Sequence, residues 1–432
     1  MPWRILPLMM VFVALAHFNR ISISVAGAAQ IIPSGLISKE RMGLVYSSLL
    51  LVYTLCMVPG GWFLDRFGPR VAWMVVVFGS AGFVTGTGLV GWCITDSATL
   101  FIAFLIVRSC LGVLCAPLHP TAARLVANWT HPKASDFANG LINASALVGI
   151  AFTYVVFGAF IDLLDWPGAF MAAGGLTFVL AVAWFWLGAD RPPDVGQAGC
   201  CGMVSDRATT SAGKPDLRES GENVATEPAP GFRRILANSS LLFLTLSYGL
   251  LGYFQYLFFY WAEYYFKTEM NLSPQSSRWA STLLTLAMGA GMFVGGWLSD
   301  WGRRRLPGRW GLAAIPMLAL GSAGTATYLS LGDRPAWGVV TGLAIAMAMA
   351  GICEGSYWTT AVRLGRASGG TAAAIMNTAG NAIGLLAPLL TPWISTHYGW
   401  QASLGLAALV CWVAAISWLG VRVNSPSNSN SW

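Results

Sequence analysis

Twelve apolar stretches run along the chain, and each is long enough to cross a lipid bilayer as a helix. A helix of about 20 apolar residues spans a hydrocarbon core of roughly 30 Å. Only 10% of the residues are charged and 56% are hydrophobic, whereas about a quarter of the residues in a soluble domain are charged. The sequence therefore predicts an all-α polytopic membrane protein with 12 transmembrane helices. The predicted spans are 5–27, 42–64, 71–94, 98–122, 137–162, 168–188, 239–265, 276–299, 310–331, 336–359, 369–393 and 400–421.

One long polar segment separates the sixth predicted span from the seventh. Residues 189–237 are rich in Asp, Glu, Gly, Pro, Ser and Thr. A segment with so little apolar surface cannot offset the entropy lost on folding. We therefore predict that 189–237 is a disordered cytoplasmic linker between an N-terminal six-helix bundle, 1–188, and a C-terminal six-helix bundle, 238–422. Residues 423–432 are predicted to form a cytoplasmic tail.

A short charged loop occurs twice in the chain. The sequence GWFLDRFGPR at 61–70 and the sequence GWLSDWGRRR at 296–305 lie 235 residues apart. Two similar polar stretches, 138–143 and 372–377, are offset by 234 residues. Repeats at matching places in two halves are typical of secondary transporters, whose substrate site lies midway across the membrane between the halves. We therefore predict two pseudo-symmetric halves around a central site.

The positive charges are distributed unevenly between the two predicted sides of the membrane. Lys and Arg are concentrated in cytoplasmic loops of membrane proteins. One side carries twelve of them and the other carries five. The chain is therefore predicted to be a multi-pass protein of the cell (inner) membrane with both termini in the cytoplasm, and its net charge of +7 sets topology and gives no reason to expect nucleic acid. The two sets are Arg4, Arg66, Arg70, Arg124, Lys133, Arg303, Arg304, Arg305, Arg309, Arg363, Arg366 and Arg422, against Lys39, Arg41, Lys267, Arg278 and Arg334.

Motifs of enzymes and of metal sites are missing from the sequence. The eight cysteines form no CxxC pair, and buried free thiols behave as small hydrophobic groups. The sequence contains neither HExxH nor GxSxG. We predict no catalytic residues, no metal and no cofactor.

The first charged loop matches the signature G-x-x-x-D-R-x-G-x-R of the major facilitator superfamily, and the chain resembles that superfamily in helix count and linker position as well. The second copy lacks an Arg after its Asp. In the superfamily such loops resemble contacts on the cytoplasmic side that stabilise the outward-open state, so we predict gating residues in both copies. Gly61 is expected to let two helices approach closely, and Asp65 to face a helix N-terminus. The predicted gating residues are Gly61, Asp65, Arg66, Gly68, Arg70, Gly296, Asp300, Arg303 and Arg304.

Within the superfamily the chain looks most like the anion:cation symporter branch, which includes sugar-acid permeases, sialin and the vesicular glutamate transporters. The resemblance rests on three strings, at 17–24, 108–120 and 377–388. It implies a secondary active transporter that moves a small organic anion, such as a sugar acid or another carboxylate, by alternating access. The partners implied are that anion, H+ or Na+ as a coupling ion, and membrane lipids, with the chain as a monomer.

Two arginines lie inside predicted spans at similar depth. A charge near the centre of a membrane helix costs about 2.5–3.5 kcal/mol on insertion scales and therefore faces the protein interior. No Asp or Glu lies at the depth of Arg20 and Arg108 in the first six spans. Two guanidinium groups at one level match the geometry of a carboxylate. We predict that both bind the substrate anion, with snorkelling or bonding to carbonyls as the alternative.

The branch resemblance leaves the coupling ion open. In this branch an acid often precedes the first-helix Arg and another follows the fourth-helix Arg, but the chain has Asn19 and Cys115 there. His17, His119 and Glu354 remain as possible coupling residues, because histidine titrates near neutral pH.

Glu354 and Glu263 are also open to interpretations that involve no function in transport. Glu354 is equally compatible with an ion pair to an inner-face Arg such as Arg363. Glu263 is predicted to form an exposed pair with Lys267, near the outer end of the seventh span.

Neutral side chains in the spans are predicted to bind the parts of the substrate other than its carboxylate. Tyr253, in an aromatic run, offers a hydroxyl or a ring to a sugar-like solute. The alternatives are an interfacial aromatic belt for the tyrosine and helix-to-helix bonding for the amides. The predicted residues are Tyr253, Gln255, Asn143, Asn377 and Asn381.

Other functions stay open at this stage. A uniporter or exchanger of a neutral solute and a multidrug-type efflux carrier are rival transporters, although the fifth span lacks the Gly-Pro-x-x-Gly-Gly motif that such antiporters resemble. A nutrient sensor that does not transport is an alternative from another class.

Overall fold

The computed structural model describes residues 5–129, 132–187, 237–365 and 369–422, and these residues form helices joined by short turns. Seven helices precede the predicted linker: α1 (Ile5–Ala26), α2 (Lys39–Phe67), α3 (Pro69–Cys93), α4 (Ser97–Cys115), α5 (Leu118–Trp129), α6 (Pro132–Phe152) and α7 (Gly158–Leu187). Six follow it: α8 (Ser239–Thr268), α9 (Pro274–Arg305), α10 (Trp310–Leu329), α11 (Ala336–Gly365), α12 (Gly369–Gly384) and α13 (Leu386–Ser417). Short π-helical turns, Gly27–Ile31 and Thr153–Phe157, extend α1 and join α6 to α7.

The described residues contain ten continuous apolar spans, and two of these have double length. Gly140–Leu187 covers 48 residues and Gly369–Gly420 covers 52. Each breaks at one residue with left-handed backbone, Asp165 with φ 58° and Gly399 with φ 82°. Dividing each long span at this residue gives twelve segments in the described residues, which is consistent with the twelve predicted spans.

The helices pair in the same way in both halves. In the first half α1 packs on α6, α2 on α4 and α3 on α7. In the second half α8 packs on α12, α9 on α11 and α10 on α13. The repeated pairing confirms the two pseudo-symmetric halves. The predicted linker, 189–237, lies outside the described residues except for its last residue, and the predicted tail, 423–432, lies outside them entirely.

Contacts between the halves concentrate on one side of the molecule. We call this side the distal face, because it carries the loops after α1, α3, α8 and α10 and lies opposite Ile5 and Arg422. Lys39 Nζ donates to Ser395 Oγ at 2.8 Å, and Thr396 Oγ1 donates to Glu40 Oε1 at 2.6 Å. Hydrogen bonds between the halves in the described part of the chain cluster from mid-depth to this face.

An ion cluster joins the halves near the distal face. Arg278 in α9 binds Asp162 in α7 through two N···O contacts of 2.5 and 2.9 Å, and its Nε lies 3.6 Å from Glu263 Oε1 in α8. Glu263 is 4% exposed. The expected exposed pair with Lys267 is therefore wrong. Lys267 Nζ instead donates to the carbonyl oxygens of Ala28 and Ala29, at 3.1 Å each, because the other half covers this end of α8.

The signature loop is a one-residue connection between α2 and α3. Gly68 has φ 81° and Pro69 begins α3. Only glycine adopts such a backbone at no steric cost, which explains its place in the signature. The close approach expected at Gly61 is wrong by one position, since nothing lies within 4 Å of a Cβ built there. Gly60 makes it, with the backbone N of Pro117 3.0 Å from such a Cβ.

Gly291 and Gly295 in α9 pack directly on the backbone of α11. A Cβ at either position would overlap a carbonyl oxygen, that of Ala348 or of Ile352. Glycines four residues apart let membrane helices approach closely. Gly291→Ala should therefore lower the melting temperature of the purified protein, since overpacking costs about 1–3 kcal/mol. Gly321→Ala in α10 is the matched control, because its Cβ would meet no heavy atom within 4 Å. Equal melting temperatures for the two variants would contradict the close packing.

Candidate functional site

Arg20 lies at mid-depth where the two halves meet. Its guanidinium carbon lies 5.4 Å from the ring centroids of Tyr53 in α2 and Tyr256 in α8. Its Nη2 donates to the Tyr256 hydroxyl at 3.0 Å. No carboxylate of the described residues forms an ion pair with it, and the side chain is only partly buried. A guanidinium held this way has donors left for an anion.

Tyr256 connects Arg20 to the Asn381 side chain in α12. Its hydroxyl donates to Asn381 Oδ1 at 2.8 Å, and Asn381 Nδ2 donates to the carbonyl oxygen of Asn377 at 3.0 Å. The ring fits against α12 because Gly384 has no side chain, and a Cβ there would collide with it. The series of hydrogen bonds from Arg20 through Tyr256 to Asn381 thus joins both halves.

Arg108 occupies a different environment from Arg20. It is fully buried in the first half, its Nη1 donates to the carbonyl oxygen of Asn19 at 3.1 Å, and its guanidinium carbon lies 5.4 Å from the Phe170 ring centroid. Its Nε and Nη2 have no hydrogen-bond partner. Tyr260 lies within electrostatic reach of both arginines. The two guanidinium groups therefore share one region, but only Arg20 reaches the interface in this conformation.

The two positions where the branch resemblance led us to expect acids make internal, neutral contacts here. Asn19 Nδ2 donates to Thr177 Oγ1 at 2.8 Å. Cys115 Sγ lies 3.8 Å from Ser80 Oγ. Both side chains are thus bonded within the first half.

His17 and His119 meet although they lie on different helices. Their ring centroids are 5.3 Å apart in an edge-on arrangement. His17 Nδ1 donates to the carbonyl oxygen of Val13 at 2.9 Å, so in its neutral form the free nitrogen is Nε2. Both rings lie within electrostatic reach of Arg20. Two imidazoles of the first half thus lie near the Arg20 guanidinium.

Glu354 stands in the second half, surrounded by neutral donors. Its carboxylate accepts from the Tyr248 hydroxyl at 2.8 Å, from Gln255 Nε2 at 3.3 Å and from Trp358 Nε1 at 3.4 Å. The alternative of an ion pair with Arg363 is wrong, because the ion pairs among the described residues do not include Glu354.

Comparison with known proteins assigns the family. The family model of the Major Facilitator Superfamily matches residues 8–388 of this chain and, in a second match, residues 264–432. The chain belongs to the Major Facilitator Superfamily. As a member it is a secondary transporter that crosses the membrane many times, and not an enzyme.

Two relatives and one solved structure illustrate its place in the superfamily. A D-galactonate transporter of Escherichia coli O6:H1 is 28% identical over 302 residues, which cover 69% of this chain and 67% of that protein. A probable sulfoacetate transporter, SauU, of Cupriavidus necator is 24% identical over 400 residues, which cover 91% of this chain and 87% of that protein. A bacterial homologue of the human lysosomal transporter Spinster, solved in an inward-facing and occupied conformation, shares the fold with a TM-score of 0.77 at 16% identity, over 99% of this chain and 100% of that chain.

The other predicted binding residues of this superfamily member lie at varying distances from Arg20. Gln255 belongs to the Glu354 group. Tyr253 is 4% exposed in the hydrophobic core, and its hydroxyl has no hydrogen-bond partner. Asn143 is exposed on α6 and takes no part in the hydrogen bonds of the site. The structure thus joins the side chains of Arg20, Tyr256 and Asn381 in one network, which reaches Asn377 only through its backbone carbonyl oxygen, and places Tyr253 and Asn143 outside it.

The two copies of the superfamily signature lie at the face opposite the distal face. Asp65 and Arg66 are exposed, and the Arg66 guanidinium carbon lies 5.8 Å from the Trp62 ring centroid. In the second copy Asp300 pairs with Arg303 one helical turn on. That copy is no loop, since α9 continues to Arg305 and the turn follows at Gly308 with φ 54°.

Tyr256 is the residue of this site that sequence reasoning ranked too low. It stands in the same aromatic run as Tyr253, three residues further on. The glycine pattern does not separate them, because Gly249 stands one turn before Tyr253 and Gly252 one turn before Tyr256, and both glycines lie close to α12.

Proposed function

We propose that this transporter moves a small organic anion of the sugar-acid type, and that Arg20 binds its carboxylate. The observation that carries the proposal is the Arg20 guanidinium at the junction of the halves, with no carboxylate of the described residues bound to it. Hydrogen bonds from a guanidinium to a carboxylate are charge-assisted and often bidentate. The named substrates of the two relatives, galactonate and sulfoacetate, are both carboxylates.

The neutral groups around Arg20 suit a polyhydroxylated anion. The Tyr256 hydroxyl and the Asn381 amide adjoin Arg20 and supply both donors and acceptors. The Asn377 amide, one turn before Asn381 on α12, and Gln255, beside Tyr256 on α8, are proposed to add to them. A sugar hydroxyl is itself a donor and an acceptor, so it matches such groups. The carboxylate binds Arg20 and the hydroxyls bind the amides of the second half. Tyr253 and Asn143 are proposed to have supporting roles. Tyr253 packs α8 in the core, and Asn143 lies on the exposed surface of α6.

Arg108 is proposed to contribute a second positive charge to the same anion. Two of its nitrogens lack a partner in this conformation, and a charge in a low-dielectric interior acts over a longer range than one in water. Its contact with the Asn19 carbonyl ties it to the helix that carries Arg20. Movement of α1 during transport would therefore shift the positions of the Arg20 and Arg108 guanidinium groups together.

Alternating access follows from the contacts at the distal face. With both termini in the cytoplasm, as the charge distribution predicts, the distal face is the outer side, and its hydrogen bonds close the path outward. The signature-loop residues of both copies then lie on the cytoplasmic side, where they stabilise the outward-open state. The proposed site of action is the cell (inner) membrane, with the chain acting as a monomer among its lipids.

A ligand screen tests the proposed substrate class. Ligands that bind only the folded state raise the melting temperature by mass action. We expect D-galactonate and other hexonates to stabilise the purified protein and the neutral polyol galactitol, a matched control, to have no effect. Equal stabilisation by galactitol would contradict the anion and favour a neutral-solute carrier, whereas stabilisation by lipophilic cations alone would favour multidrug efflux. Uptake of labelled D-galactonate into vesicles distinguishes a transporter from a sensor.

A further inference from the structure

Glu354 stands near the middle of α11, in the half opposite Arg20. Of the carboxylates in the described residues, the others lie at helix ends, in loops or in the distal ion cluster. Its side chain is partly buried, and three neutral groups donate to it, the Tyr248 hydroxyl, the Gln255 amide and the Trp358 indole. A charge at this depth is costly and is typical of ion pathways and proton relays.

The elements packed against Glu354 bring it no charge. Helix α8 brings Tyr248 and Gln255, while α9 and α10 contact neighbouring residues of α11 through Ser299 and the carbonyl of Pro316. Helix α12 also packs on α11 and contains no charged residue. Within the described residues, no Lys, Arg or His lies within ion-pair distance of Glu354. The titratable groups near it are phenols and thiols, which hold their protons at neutral pH: Tyr248, Cys353, Tyr357 and Cys411.

We propose that Glu354 binds the proton that accompanies the anion, so that transport is proton symport through the second half. This inference rests on the proposed anion transport. The groups facing the carboxylate present N–H and O–H hydrogens, whereas a sodium ion needs several oxygen lone pairs around it. A proton fits this environment, since a protonated carboxyl is both a donor and an acceptor. Gln255 meets the new O–H group by turning its amide oxygen toward it.

The link to the substrate runs through neighbouring residues of α8. Gln255 donates to Glu354, and the next residue, Tyr256, accepts from Arg20. An anion at Arg20 and a charged Glu354 therefore face the same interface and repel each other across a medium of low dielectric constant. An outer proton forms an O–H bond on the carboxylate and removes this repulsion. On the cytoplasmic side that bond breaks, the proton leaves to water, and the anion is expelled.

The histidine pair is less suited to the same task. His17 and His119 lie on the side of Arg20, so a proton on either ring adds a positive charge beside the guanidinium, which repels it. Removing both rings should therefore leave the pH dependence in place.

The test measures binding of D-galactonate to the purified full chain between pH 5 and 9. For the wild type we expect the dissociation constant to rise with pH, by up to about tenfold per unit above the titration of the carboxyl, with one proton taken up per anion. Glu354→Gln should bind with the low-pH affinity of the wild type at every pH and take up no proton. In vesicles it should exchange galactonate but not accumulate it on a pH gradient. Glu354→Asp, which still titrates, should keep the slope.

Two control variants should keep the wild-type dependence of the dissociation constant on pH. Asp333→Asn removes an exposed carboxylate from a loop of the distal face and should keep the wild-type slope. The double variant His17→Gln/His119→Gln should keep it as well. A slope that survives in Glu354→Gln, is lost in the histidine variant or is absent from the wild type overturns the proton site and leaves the anion proposal standing. Failure of D-galactonate and of every other anion to bind overturns the anion proposal itself.

Discussion

Replacing Arg20 by glutamine should weaken the binding of a hexonate by about 100-fold or more. A hydrogen bond to a charged group contributes about 1.5–3 kcal/mol, and about 1.4 kcal/mol corresponds to a factor of ten. A bidentate carboxylate loses two such bonds when the guanidinium is removed. Isothermal titration of the purified variant with D-galactonate gives the change in dissociation constant directly.

Two further variants separate the geometry of Arg20 from its charge. Arg20→Lys keeps the charge but loses the planar fork, so we expect binding between that of the wild type and that of Arg20→Gln. Arg334→Gln removes an equal charge from an exposed loop at the distal face and should bind like the wild type. Weakening in Arg334→Gln equal to that in Arg20→Gln would show that net charge, and not the site, attracts the anion.

Replacing Arg278 by methionine should destabilise the closed distal face by about 3 kcal/mol. Breaking a buried ion pair by removing one partner costs about 3–5 kcal/mol, because the other charge stays buried. Glu263 is the partner left behind, and it is 4% exposed. The melting temperature of the variant should fall, and spin labels placed across the distal face should report a larger open fraction.

The partners of Arg278 provide the controls. Arg278→Met/Glu263→Gln should recover much of the lost stability, since no buried charge remains. Asp162→Asn should cost only about 0–1 kcal/mol, as expected of an exposed pair, because the Asp162 side chain is 60% exposed. An effect of Asp162→Asn as large as that of Arg278→Met would contradict the role of Glu263.

The features that depend on length and local backbone were predictable from the sequence. Apolar runs long enough for a bilayer predicted twelve spans, and the spans of the described residues are consistent with that number. The glycine at position 68 of the signature corresponds to a backbone that other residues avoid, φ 81°. The free-energy cost of a charge at mid-depth indicated from the sequence that Arg20 and Glu354 are candidate functional residues.

Features that depend on which face of a helix meets which neighbour were not predictable. Helix α8 is aromatic nearly all round, so periodicity did not separate Tyr253 from Tyr256. His17 and His119 meet only because α1 and α5 pack together. Glu263 is buried at the junction of the halves, where Arg278 contacts both it and Asp162 of the first half. Contacts between distant segments decided each of these points.

A structure of the full chain with bound D-galactonate is the most direct measurement of the anion site. The account predicts carboxylate oxygens within about 3 Å of the Arg20 guanidinium nitrogens, with the sugar hydroxyls toward Tyr256 and Asn381. A galactonate bound elsewhere, or an Arg20 that pairs with Glu354 while the ligand occupies the site, would contradict it.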